Sequence, residues 1–434
     1  MPPCCSMNVM VAEPVPTMRL ALSFLGTGNY QATTYVLGDR RCTTRYFCSA
    51  MAELFQPDRL CVVMTEEARD KHADALGRVC SFEPLLVPSG RNETEIWDLF
   101  ERLVEAVPEN TSLILDVTHG FRSQPLLALT ASLFLTAARN VHIEGIYYGA
   151  WEARNTATNE APIFDLTPLS NLIGWSAATR LFVRAGDARP LGALLRQTHT
   201  ASYKQPSSPY RSKYLSKAGF RLEELTQALA LVQPLESVQS ARHLSEVLHQ
   251  LDEDLQHLPQ TRPFRLLLDQ IQTRLTPLGG DSQALFTREG FRLQSAMIRY
   301  YLRANQLQQA LTLSREALVS WVTARQNDTS DPQIIVDREY RKPAEEHLNE
   351  RVLQTENHEL TEDDPDYGLA ILWGQLRDLR NNINHAGMQI ERFRAIRERK
   401  HGKPLEKLHQ NVRDVCEHVA GLLEDQSAPP SQAT

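Results

Sequence analysis

Two short loops carry residues suited to holding a phosphate. In Gly26-Thr27-Gly28-Asn29-Tyr30 the glycines let bare backbone approach an anion, while Thr27 and Asn29 offer side-chain hydrogen bonds. In Asp116-Val117-Thr118-His119-Gly120-Phe121-Arg122-Ser123 a hydroxyl, an imidazole, a ring and a guanidinium share one turn. A bare G-x-G serves equally as a tight turn, and a dinucleotide fingerprint needs a third glycine where this chain has Gln31, which disfavours a nicotinamide enzyme. The second loop is harder to explain as a turn, which has a use for Gly120 but none for His119, Phe121 and Arg122 together. Thr65, ahead of Glu66 and Glu67, reads as a weaker ligand candidate or as a helix N-cap.

A second constellation is Arg380, Asn381 and His385. RNA supplies its own nucleophile, the ribose 2′-OH, so a cleaving site needs only proton transfer and charge stabilisation on the phosphate. Imidazole titrates near neutral pH, and guanidinium grips two phosphate oxygens at once; no metal is required. Asn381 and Asn384 can orient the scissile group. The spacing R-x4-H by itself is far more often that of a structural helix whose arginine pairs with a carboxylate and whose histidine caps carbonyls, and Glu316 could meet Arg380 either as a core-edge salt bridge or as a positioning group. Residues 369–388 have helical spacing, with Leu369, Leu372, Trp373, Leu376, Leu379 and Ile383 on one apolar stripe and Gly387 as the stop. Arg380 falls inside that stripe, where a cation is costly unless paired or facing a cleft or partner subunit. Asp378 projects to solvent, Trp321 and Trp373 read as core, and the basic run 391–400 reads as a solvated face.

The elements that must position these groups follow from periodicity. Short apolar runs at 19–25, 59–64, 84–87, 112–117 and 142–148 each end in turn residues, with helical segments at 92–107 and 125–139 between them. This alternation predicts a parallel sheet covered on both faces, a Rossmann-like domain over residues 18–175. Beyond it the pattern is all-α, with helices expected at 221–231, 240–255, 290–303 and 306–323 and a break at Gly279-Gly280-Asp281. The expected divisions are a flexible extension over 1–17, a helical middle region over 176–280, a second helical domain over 281–425 and a disordered tail over 426–434.

A chain of 434 residues with 46 Lys and Arg against 53 Asp and Glu has no global field drawing it to nucleic acid, so any RNA contact is local. Its seven cysteines form no C-x-x-C pair, which points to a reduced, cytoplasmic protein. The longest apolar stretch, 125–138, is too short to span a bilayer, and residues 1–17 do not read as a signal peptide.

The run DVTHGFRSQP, with GTGNY before it and IYYGA after it, resembles the sensor domain of CRISPR-associated Rossmann-fold (CARF) proteins of type III systems. Arg380-Asn381-Asn382-Ile383-Asn384-His385 resembles the R-N-x-x-x-H signature of HEPN ribonucleases, and the order of the two domains is that of the CARF–HEPN ribonucleases. The resemblance implies an endoribonuclease that cuts single-stranded RNA without metal or cofactor, activated by a cyclic oligoadenylate, cyclic tetra-adenylate being favoured. It places the ligand on Gly26, Thr27, Gly28, Asn29, Thr65 and Thr118–Ser123. It places catalysis on Arg380, Asn381 and His385, shared across a homodimer or a higher oligomer of dimers. Two alternatives stay open: a ligand-responsive binding protein without nuclease activity, and a sensor that itself opens the cyclic ligand.

Overall fold

The structure is a computed structural model that describes residues 18–120, 123–204, 210–258, 261, 264–384 and 404–425. The expected extension over 1–17 and tail over 426–434 therefore lie outside the described residues. The chain divides into two compact units, Met1–Asn171 and Leu172–Thr434.

The first unit runs β1 (Met18–Leu25), β2 (Thr33–Leu37), β3 (Arg40–Thr44), α1 (Phe47–Phe55), β4 (Arg59–Met64), α2 (Glu66–Gly77), β5 (Glu83–Leu86), α3 (Glu93–Ala106), β6 (Thr111–Asp116), α4 (Ser123–Ala138), β7 (His142–Gly149) and β8 (Glu160–Asp165). Its sheet has the order β3-β2-β8-β7-β6-β1-β4-β5. From β5 to β7 all neighbours are parallel, and β1 is buried from Leu20 to Leu25, the near-continuous apolar run of a strand covered on both faces. One apolar cluster includes Ala21, Leu25, Val62 and Ile114 with residues of α1 and α2; the other includes Leu20, Phe24, Val63 and Leu113 with residues of α3 and α4.

The sheet is mixed rather than wholly parallel, which corrects the sequence expectation. β2 pairs antiparallel with β3, and β7 antiparallel with β8. The β2–β3 hairpin turns at Gly38-Asp39, where Gly38 has φ +58°, the positive value a two-residue hairpin needs there. β8 carries Pro162, which has no N–H to donate, so its run does not read as an interior strand.

The second unit is helical. α5 (Thr167–Ala185) leads into α6 (Arg189–Lys204), α7 (Leu215–Ala230), α8 (Pro234–His257), α9 (Phe264–Leu275), α10 (Arg288–Arg303), α11 (Leu307–Gln326), α12 (Pro332–Val336), α13 (Arg338–Glu356), α14 (Tyr367–Asn384) and α15 (Pro404–Glu424). The division between units falls within α5. Residues on both sides of Gly280, among them Leu244, Leu278, Phe291, Trp321 and Leu376, share one hydrophobic core. The packing therefore has no break at the boundary expected near 280. The Gly279-Gly280 turn allows close packing instead: a Cβ on Gly280 would stand 2.5 Å from Leu293 Cδ1. No helix among the described residues is long and apolar enough to cross a membrane.

Candidate functional site

In the first unit β1 lies between β4 and β6: β4 and β5 extend the parallel sheet to one side of it and β6 and β7 to the other, while β2 and β3 lie at the far edge on the β6 side, so the carboxyl ends of β1 and β6 flank a switch in strand order. Open α/β sheets bind ligands outside such a point. The two loops singled out by residue type follow these two strands, and glycines let them meet. A Cβ on Gly26 would stand 3.6 Å from Gly120 Cα. Gly120 has φ +118°, and a Cβ there would lie 2.5 Å from Gln124 Oε1 and 3.2 Å from Phe24 Cβ.

Neighbouring side chains fix the first loop. Gly26 N donates to Tyr30 Oη at 2.9 Å. From α2, Lys71 Nζ donates to Thr27 O at 2.7 Å and Asn29 Oδ1 at 3.0 Å, and His72 Nε2 sits 2.9 Å from Gly28 O. The other ring nitrogen of His72 is 3.2 Å from Tyr46 Oη, and burial holds the imidazole below its ordinary pKa. A neutral ring that donates to the carbonyl and accepts from the phenol satisfies both contacts. Lys71 and His72 were missed in the sequence because nothing in a polar helix face marks which strand-end loop it meets. Thr65 is buried and its hydroxyl accepts from Ala68 N at 3.3 Å, so it caps α2.

The second loop hangs from Asp116. This carboxylate is fully buried at the end of β6; it accepts from Ser23 Oγ and, at 2.7 Å, from Thr118 N. Thr118 Oγ1 in turn accepts from Gly149 N of β7 at 2.8 Å. His119 packs on Tyr30 with ring centroids 4.4 Å apart, and its Nε2 is buried without a hydrogen-bond partner. Burial pushes this imidazole down to about 4, against a smaller opposing effect of Glu152. His119 is therefore neutral at physiological pH, a hydrogen-bonding group rather than a cation. Ser123 begins α4 and is exposed, so its place is at a helix N-terminus. Phe121 and Arg122 lie outside the described residues.

Burial raises Asp116 to about 6, with the hydrogen bonds from Ser23 and Thr118 opposing it. Between the ordinary carboxylate value of about 4 and that value the folded protein keeps a proton the unfolded chain releases, so this group costs stability as pH rises through the window. Asp116→Asn removes that dependence. Tm profiles from pH 4 to pH 7 should show the wild type gaining on the variant as pH falls. Parallel profiles would refute the assignment.

In the second unit α14 buries Leu372, Trp373 and Leu376, while Leu379 and Ile383 pack partly against the core. Arg380 lies one turn beyond Leu376 on this side and is half-buried. Among the described residues it makes no ion pair, although Arg377 beside it pairs with Asp378 at 3.2 Å. Asn381 and Asn384 are exposed, and His385 lies outside the described residues. Glu316 does not meet Arg380. It is held by Arg341 at 2.7 Å and Arg315 at 2.5 Å, a correction that follows from α13 supplying the nearer cation. Trp321 is buried, and Trp373 is buried with Nε1 donating to Asn349 Oδ1 at 2.9 Å, so both are core. The run 391–400 is outside the described residues.

No protein-family model matches the chain. Over 113 residues, 25% of its length, the chain is 32% identical to a CRISPR-associated protein of Methanocaldococcus jannaschii, and the match spans 18% of that protein.

Proposed function

We propose that the α/β unit binds a cyclic oligoadenylate and that the helical unit cleaves single-stranded RNA in response, as a cytoplasmic CARF–HEPN ribonuclease of CRISPR defence. The observation that carries this reading is the approach of Gly26 to Gly120 at the carboxyl ends of β1 and β6, with the N-terminus of α4 following directly. Two strand-end loops meeting at a switch in strand order, with a helix N-terminus following one of them, suit a phosphate ring. The likeness to a CRISPR-associated protein supports the same biological system.

In the effector half, Arg380 neutralises the scissile phosphate, Asn381 orients it and His385 moves protons. The 2′-oxygen bonds to phosphorus as its proton leaves to a base, the bond to the 5′-oxygen breaks, and that oxygen takes a proton. A half-buried cation without a carboxylate among the described residues fits a site completed by a second copy of the chain. The activator is a ligand, cyclic tetra-adenylate in the first instance, and no cofactor takes part. The test is degradation of labelled RNA by the purified protein against cyclic oligoadenylates of increasing ring size. Cleavage confined to one ring size is expected; intact RNA with every ring would overturn the reading.

A further inference from the structure

A second cationic site lies in the helical unit, remote in sequence from both motifs. Arg274 of α9 and Arg303 at the end of α10 line one cavity of about 540 Å³, with Val183 and Pro277 as its apolar wall. That size lies within the range of small-ligand pockets, about 300–1,000 Å³. Neither guanidinium makes an ion pair among the described residues, and both Nε and Nη2 of Arg274 are buried without a hydrogen-bond acceptor. A buried, unpaired donor on a cation is costly and is kept where something else supplies the acceptor.

The contrast with Arg299, one turn before Arg303 on α10, is informative. Arg299 is gripped by two carboxylates of α15, Glu417 at 2.6 Å and Glu424. The fold thus neutralises the cation that joins helices and leaves the two that face the cavity open. Arg274 is also held in position, with its guanidinium 5.0 Å from the ring centroid of buried Tyr300. This cation–π contact holds the Arg274 side chain beside the cavity that it lines. Partial burial and the nearby charges of Arg274 and Arg299 hold Arg303 below the ordinary arginine range, the sign of like charges sharing a site. Asp269 also lines the cavity, within salt-bridge reach of neither arginine, and offers an acceptor suited to a sugar hydroxyl.

We propose that Arg274 and Arg303 form a phosphate-binding site, taking either the phosphates of a nucleotide or those of an RNA strand. Guanidinium forks match paired phosphate oxygens, and a multiply charged anion between the two removes their mutual repulsion. The site is independent of the sensor and nuclease assignments above.

The experiment is calorimetric titration of the full chain with pyrophosphate, ATP and a 2′-O-methyl RNA decamer that resists cleavage, on wild type, Arg274→Gln, Arg303→Gln and Arg303→Lys. Pyrophosphate should bind the wild type, and each Gln variant should bind about tenfold or more weakly, with Lys intermediate. ATP exceeding pyrophosphate identifies a nucleotide ligand; the decamer exceeding both identifies a strand. Arg303 is exposed, so Arg303→Gln should fold, with a ligand-free Tm equal to or above that of the wild type because repulsion is relieved. Equal binding of all three probes by wild type and both Gln variants, or no binding by any protein, overturns the site. So does a lowered Tm in Arg303→Gln without loss of binding, which would make the residue structural.

Discussion

Arg380→Ala should lower ligand-stimulated RNA cleavage by about a thousandfold, the upper end of the range for removing one group that stabilises a developing oxyanion. Binding of the cyclic oligoadenylate should be unchanged. Stability should change little as well, because Arg380 is half-buried and makes no ion pair among the described residues. His385→Ala should have a comparable effect on cleavage through loss of proton transfer. The decisive measurement is initial rate on labelled RNA at saturating ligand, with Tm recorded for each protein. Full activity in either variant sinks the site. A matching fall in Tm and activity would mean that α14 had merely been unfolded.

Gly120→Ala should act at the other end of the mechanism. The backbone there has φ +118°, outside the range an L side chain adopts readily, and the new Cβ would stand 2.5 Å from Gln124 Oε1 and 3.2 Å from Phe24 Cβ. Gln124 is buried on the first turn of α4, so it cannot swing freely into solvent. Strain of this kind costs on the order of 1–3 kcal/mol, released by shifting the loop away from Gly26. Ligand affinity should fall by about five- to 150-fold, as that energy implies. Cleavage at saturating ligand should recover toward the wild-type rate, because α14 is untouched. Unaltered affinity would show that the loop does not contact the ligand.

Where packing repeats a simple pattern, the chain was readable. β1, β4 and β6 bury nearly every residue, and their apolar runs located them to within a residue or so. The β2–β3 hairpin escaped although Gly38-Asp39 marks its turn, because Arg40, Arg41 and Thr43 give β3 little apolar alternation. β8 escaped through Pro162. Both errors have one consequence, a sheet expected to be parallel that carries two antiparallel pairs. In the helical unit, Gly279 and Gly280 read as a break because glycine punctuates loops, while the hydrophobic core that continues on both sides of them arises from contacts no local pattern shows. The two glycine-bearing loops were legible as residue types but not as architecture. Asp116 was read as the first residue of a ligand loop, whereas it is the buried anchor from which Thr118 hangs. Lys71 and His72 were invisible because their role arises from contacts between residues more than forty positions apart.

The reversal of direction between β7 and β8 also determines where the chain departs from the sheet. β8 retraces only the last three residues of β7, pairing Gly149 with Ile163 and Tyr147 with Asp165. Leu166 N then donates to Ile146 O, and Ile146 N donates to Thr167 Oγ1 at the first residue of α5. The exit is thus tied to the waist of β7, while Thr118 holds the tip of the same strand through Gly149. β7 is a short beam loaded at both points. Between those points Val117 N donates to Tyr147 O and β8 pairs with Tyr147 to Gly149, so the loop that carries Thr118 and the start of α5 are fastened to one stretch of strand braced on both edges.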